Sequence, residues 1–115
     1  MHISSPETLA HPGRDEIELA AVLHALSDPV RLVMVRVLAG AIEARSCGSF
    51  DVPVTKSTCT HHFKVLREAG VIRQRHEGTK RVNTLREDDL EARFPGLLAT
   101  ILQAAEDQPL LIART

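Results

Sequence analysis

Apolar residues recur along this chain with two different periods, and the changes of period mark its elements. From Arg14 onward, Ile17, Ala20, Ala21, Leu23, His24 and Leu26 stand at helical spacing. Asp15, Glu16 and Glu18 fall in the first turn, where the helix dipole favours acids. Asp28-Pro29 closes this helix and opens a second, with Asp28 as N-cap and Pro29 at the first helical position, where its missing N–H costs nothing. The second helix reads VRLVMVRVLA, with Val30, Val33, Met34, Val37 and Leu38 on one face and Gly40 as its stop. Periodicity then fades between Ala41 and Pro53, where RSCGSFDVP fits a short helix or an irregular connection.

Thr55 begins the clearest element. Thr55 predicts an N-cap and Gly70 a C-terminal stop, and between them Cys59, Phe63, Leu66 and Ala69 form an apolar stripe. The opposite face carries Ser57, Thr60, His61, Lys64 and Arg67. The period then shortens to two. Val71 to His76 and Lys80 to Leu85 alternate around Glu77-Gly78-Thr79, which predicts a β-hairpin whose arms carry Arg73, Arg75, Lys80 and Arg81. A short acidic helix, Glu87 to Arg93, precedes Phe94-Pro95. A last helix follows in PGLLATILQAAEDQ, with Leu97, Leu98, Ile101, Leu102 and Ala105 mostly on one side. The Pro- and Ser-containing start reads as a flexible arm over residues 1–13, one domain spans 14–108, and 109–115 is a tail.

Composition narrows the classes. A chain of 115 residues with 43% hydrophobic and 25% charged residues is an ordinary single globular domain. Three Phe, no Trp and no Tyr require an aliphatic core, and argue against a single-strand binder that stacks bases on aromatic platforms. The longest uncharged stretch, Phe94 to Ala105, has 12 residues, short of the roughly 20 that span a bilayer. The last helix also lacks the basic face of a membrane-surface segment, so no membrane partner is expected. The N-terminus has neither a basic start nor an apolar run, and two cysteines suit a reducing compartment. The expected location is the cytoplasm.

Charge distribution matters more than the net charge of −1. Between Lys56 and Arg86 eight basic side chains stand against two acidic ones, whereas the remainder of the chain carries six basic and thirteen acidic. A basic segment on an acidic body is the electrostatic footprint of a phosphate-backbone binder. A helix with small hydroxyls, one imidazole and cations on its outer face fits a major groove, and a basic hairpin beside it fits the backbone or the neighbouring minor groove. The residues therefore predict a mainly α fold with a small β-hairpin wing, a winged helix-turn-helix that binds double-stranded DNA. A winged-helix protein-interaction module would instead present apolar residues at Ser57, Thr60, His61 and Lys64.

The segments ALSDPVRLVMVRVL, KSTCTHHFKVLREAGVI, the turn EGTK and VNTLREDDLEARFPGLL together resemble the ArsR/SmtB family of small bacterial transcriptional repressors, over roughly residues 22 to 100. The resemblance implies a homodimer, joined through its first and last helices, on an inverted-repeat operator. It places Lys56, Ser57, Thr60, His61 and Lys64 on the DNA-facing side of the recognition helix, and Arg75, Lys80 and Arg81 on the wing. Leu23, Leu98 and Ile101 are the candidates for the dimer seam.

The sensor does not carry over. Metal-sensing members carry a C-x-C pair before the recognition helix, or Asp and His ligands on the last helix. Here the first region offers only Cys47, and the last helix has no His or Cys. No cofactor or metal site is expected, and no effector is identified. Cys47, in a polar segment, is the one candidate sensor thiol for a thiol- or metal-responsive version of the regulator. Cys59, on the apolar stripe, reads as a small buried hydrophobe. A bond between the two requires Cα atoms within about 7 Å, which spacing does not specify. His61 and His62 point about 100° apart on a helix and form no i, i+4 chelate. Catalysis finds no support, since the acids Glu87, Asp88, Asp89 and Glu91 stand at a helix start, where the dipole alone accounts for them.

Overall fold

A computed structural model of the chain describes residues 9–40, 45–46 and 55–106. A 3₁₀ turn at Arg14–Glu16 is followed by α1 (Leu19–Leu26), α2 (Pro29–Ala39), β1 (Arg45–Ser46), α3 (Lys56–Ala69), β2 (Ile72–Glu77), β3 (Lys80–Leu85), α4 (Glu87–Arg93) and α5 (Leu97–Glu106). The architecture is the mainly helical one with a β-hairpin wing. The hairpin gains a short third strand, giving an antiparallel sheet in the order β1-β3-β2. Arg45 and Ser46 pair with Asn83 and Val82, within a stretch whose pattern specified no element.

The first helix is shorter than its periodicity suggests. Ile17 is extended, with φ −73° and ψ 122°, and its side chain is buried in the core. Its carbonyl accepts from Arg93 Nε and Nη2 at 3.2 and 2.7 Å. That carbonyl is tied to α4 rather than to the next turn, so the helix begins only at Leu19. Val22, Ala25 and Leu26 form the buried side of α1, and Leu19 and Leu23, both 45% accessible, form an exposed apolar stripe.

In α2 the Asp28 carboxylate accepts from the backbone N–H of Val30 at 2.8 Å and of Arg31 at 3.1 Å, the cap expected of Asp-Pro. The buried face is rotated from the expected one: Arg31, Met34, Val35 and Leu38 point inward. Val33 and Val37 line an open groove with Arg36 and Leu102. Burial of an arginine explains the rotation, because its guanidinium has hydrogen-bond partners only on the core side.

One core joins these elements. Ile17, Met34, Val35, Phe63, Leu66, Val71 and Ile72 are almost completely buried within it, with Leu90 of α4 and Leu98 of α5 closing the far side. It is built mostly from aliphatic side chains around Phe63, with the half-buried Phe94 packed against it, as the lack of Trp and Tyr requires.

Candidate nucleic-acid interface

Helix α3 is positioned at both ends and along its buried side. At its start, Thr55 Oγ1 accepts from the Thr58 N–H at 3.2 Å. At its end, Gly70 is left-handed with φ +87°, and the Gly70 and Val71 N–H groups donate to the Arg67 and Leu66 carbonyls at 3.0 Å each. These two bonds satisfy carbonyls that the last turn would otherwise leave open. Cys59, His62, Phe63, Leu66 and Ala69 are buried.

The middle of the helix is held by a contact that sequence reading missed. Arg31, 7% accessible, donates from Nε to the Ala25 carbonyl at 2.7 Å, and its Nη1 lies 3.0 Å from His62 Nδ1. Arginine has only donors, so His62 Nδ1 is the acceptor and the ring is neutral. Burial, followed by the positive charge of Arg31 and the neighbouring His61, holds the His62 imidazole below its ordinary range, against the opposing pull of Asp28. The S-D-P-x-R string is thus a device that caps α2 through Asp28 and latches α1 and α3 together through Arg31. The Asp-Pro half was readable from spacing, whereas the arginine half depends on a residue 31 positions away.

On the open face, Lys56, Ser57, Thr60, His61 and Lys64 are all exposed. Thr60 Oγ1 donates to the Lys56 carbonyl at 3.0 Å, so its oxygen lone pairs face outward as acceptors and its methyl group is fixed. The His61 and His62 rings sit 6.1 Å apart, tilted by 49°. Among the described residues no three His, Cys, Asp or Glu side chains group as a metal site.

Arg67, read as outward-facing, is turned inward. Its Nη1 donates to Gln74 Oε1 of β2 at 2.7 Å, tying the end of α3 to the hairpin. The wing turns at Gly78, with φ +67° and no positive φ at Thr79, the pattern of a two-residue type II′ hairpin. Glu77 pairs with Lys80 and His76 with Arg81, so Lys80 and Arg81 stand at the tip on opposite faces, both exposed. Arg75 is exposed and makes an ion pair with Glu77 at 3.2 Å. Arg86 is buried, with Nε 2.8 Å from Asp89 Oδ2, and Arg73 lies 3.5 Å from the same oxygen. Hydrogen bonds from Arg14 and from Arg86 hold the Asp89 carboxyl below the usual carboxylate range.

The basic segment therefore divides. Arg67 and Arg86 are structural, Arg73 and Arg75 are engaged with acids, and Lys56, Lys64, Lys80 and Arg81 make no ion pair among the described residues. Of the seam candidates, Leu23 is exposed, Ile101 is half-buried, and Leu98 belongs to the core with 9% of its surface accessible. Cys59 is buried, but it is not a free hydrophobic thiol: its sulfur is disulfide-bonded. Cys47, the other cysteine of the chain, lies outside the described residues, as does the tail 109–115.

Residues 26–75 match the family model described as a helix-turn-helix domain. The chain is 37% identical over 84 residues to YceK, an HTH-type transcriptional regulator of Bacillus subtilis (strain 168), with 71% of this chain and 84% of that protein covered. It is 33% identical over 61 residues to an HTH-type transcriptional regulator of Methanocaldococcus jannaschii, covering 52% and 68%. Among solved structures, an ArsR-like transcriptional regulator from Rhodococcus sp. RHA1 superposes with TM-score 0.55 at 24% identity, over 79% of this chain and 93% of that one. A "possible transcriptional regulator for arsenical resistance" superposes with TM-score 0.56 at 22% identity, over 77% and 97%. The chain belongs to the HTH-type transcriptional regulators, and its fold is that of the ArsR-like winged helices.

Proposed function

We propose that this regulator is a cytoplasmic repressor that binds an inverted-repeat operator as a homodimer, with α3 in the major groove and the wing along the backbone. The observation that carries the reading is the exposed face of α3. Hydroxyls, an imidazole and two ammonium groups stand together on a helix fixed by its Thr55 cap, the Arg31–His62 latch and the Arg67–Gln74 bond. Thr60 and His61, at the centre of that face, read base edges; Lys56, Ser57, Lys64, Lys80 and Arg81 contact the backbone and set the register, and Arg75 joins them only when it leaves Glu77.

Selection of bound sequences from random duplexes identifies the operator, and four alanine variants then test the roles. Thr60→Ala and His61→Ala are expected to lower discrimination between operator and random DNA by about 1–3 kcal/mol each, the worth of a good base contact. Their non-specific affinity should stay the same. Lys80→Ala and Arg81→Ala are expected to weaken both kinds of binding by similar factors, since phosphate contacts carry no sequence information. Loss of discrimination in the wing variants alone would reverse the assignment. A protein-interaction module would select no sequence at all.

The dimer is proposed through the exposed stripe Leu19 and Leu23 of α1 together with Ile101 of α5. Leu98 supports this seam from the core rather than lining it, so Leu98→Asp would unfold the chain and test nothing about association. Leu23→Asp is expected to give folded monomers in sedimentation and to lose operator binding in the same step. A Leu23→Asp dimer, or a monomer with full operator affinity, would exclude the seam.

A thiol-responsive version of the same regulator, with Cys47 as its candidate sensor thiol, has one observation in its favour. Cys59 adjoins Thr60 in the recognition helix and is disulfide-bonded, and disulfides in reducing compartments are mostly transient and redox-sensing. Reductant is expected to change operator affinity of the wild type and to leave Cys59→Ser unaffected. Equal response of the two proteins would discard this version.

A further inference from the structure

The segment preceding α1 has a feature that the DNA-facing residues do not use. From Leu9 on, it lies against the base of the wing through hydrogen bonds that link residues far apart in sequence. The Gln74 backbone N–H donates to His11 Nε2 at 3.0 Å. His11 Nδ1 lies 2.7 Å from the Leu9 carbonyl. Since Nε2 accepts, Nδ1 carries the proton, and the ring is neutral in a single tautomer. Arg86 Nη1 donates to the Pro12 carbonyl at 2.8 Å, and Arg14 Nε bonds Asp89 Oδ1 at 2.7 Å.

Among the described residues, strand β2 is the outer strand of the sheet and pairs with β3 alone. Its Gln74 N–H faces away from that partner, and an open donor on a sheet edge needs an acceptor. His11 supplies it. The Gln74 side chain accepts from Arg67 of α3, so Gln74 is where the arm, the wing and α3 meet.

We propose that residues 9–14 are a positioning strap for the wing, and that neutral His11, by accepting from Gln74, holds β2 against α3 and so sets the reach of Lys80 and Arg81 onto DNA. This rests on the DNA-binding reading above. Protonation of His11 replaces the acceptor at Nε2 with a second N–H directed at the Gln74 N–H, and the strap lets go. The charged groups facing the ring are Arg73 and Arg67, with Arg86 beyond them. All three are cations, and Asp89 is already engaged by Arg14, Arg86 and Arg73. Burial of the ring first, and then Arg73, Arg67 and Arg86, hold the imidazole below its ordinary value, against the Leu9 hydrogen bond. The folded, strapped state therefore prefers the neutral ring, and its contribution is full above about pH 6.5 and lost as pH falls below that value.

The full chain labelled with ¹⁵N tests the strap, with His11→Gln and His11→Ala as variants. Glutamine places an acceptor oxygen near the Nε2 position but takes up no proton. In the wild type the Gln74 amide is expected to be protected from exchange at about pH 7.5 and to lose that protection progressively as pH falls below about 6.5, while His11→Gln keeps it throughout. His11→Ala should lack it throughout. Duplex DNA binding should follow the amide: the wild type and His11→Gln bind alike at about pH 7.5, and the wild type becomes about fivefold weaker once acid has removed the amide's protection, the effect of one lost hydrogen bond. Taking the ratio of the two proteins cancels the charging of other histidines. A Gln74 amide equally protected in His11→Ala, or wild-type and His11→Gln affinities that move together with pH, would overturn the proposal. Absence of duplex binding by the wild type at neutral pH would instead count against the DNA-binding reading, and the amide would still decide the strap.

Discussion

Replacing Gly70 with alanine is expected to cost the fold several kcal/mol, more than the same change at any other glycine among the described residues. Two independent penalties meet there. Gly70 has φ +87°, and a side chain in the left-handed region costs about 1–2 kcal/mol. A Cβ at that position would also lie 2.6 Å from Ile17 Cγ1 and 2.9 Å from Cδ1. Ile17 has nowhere to withdraw, because its side chain is buried and its carbonyl is held by Arg93. Overpacking of this kind adds about 1–3 kcal/mol, against a total stability of roughly 5–15 kcal/mol for a domain of this kind. Gly78→Ala is the control: φ is +67°, but nothing lies within 4 Å of its Cβ position. It should lose only the conformational part, about 1–2 kcal/mol. Urea denaturation of the three proteins measures the difference. Equal losses would show that Ile17 yields and that the steric argument fails.

Salt should change DNA affinity by more than the removal of any single DNA-facing side chain. Each neutralised phosphate contributes about −0.9 to the slope of log affinity against log salt. Eight basic residues between Lys56 and Arg86 would suggest a slope near −7 per protomer on that scale. Arg67 and Arg86 are turned inward, and Arg73 and Arg75 are paired with Asp89 and Glu77. Only Lys56, Lys64, Lys80 and Arg81 then contribute fully, giving a slope of about −3.6 per protomer and about −7 for a dimer on its operator. Raising salt from about 50 to 200 mM should weaken binding about 150-fold per protomer engaged. A flat salt dependence would remove the electrostatic basis of the interface. A slope about one and a half times the expected one would mean that Arg73 and Arg75 are released from their acids on binding.

The helices, their caps and the hairpin could be read from the sequence because each is specified by neighbours within a few positions. Asp28-Pro29 caps α2, Thr55 and Gly70 bound α3, and Gly78 turns the wing, all through bonds spanning no more than five residues. The apolar stripe of α3 was readable for the same reason: period 3.6 over fourteen residues leaves one face for the core. Only the tertiary structure decided which side of α1 and α2 is buried. Their apolar residues are too numerous to single out a face, and the choice falls to Arg31, whose guanidinium needs the Ala25 carbonyl and the His62 ring. It also decided which cations remain for a partner, since an arginine's role depends on whether Gln74 or Asp89 lies within reach. Likewise, Ile17 became an extended core residue because Arg93 and Gly70, 76 and 53 positions on, approach it. Local periodicity determines elements because it acts through the chain's own geometry. Long-range partners determine faces and charges because a buried donor must find its acceptor wherever the fold brings one.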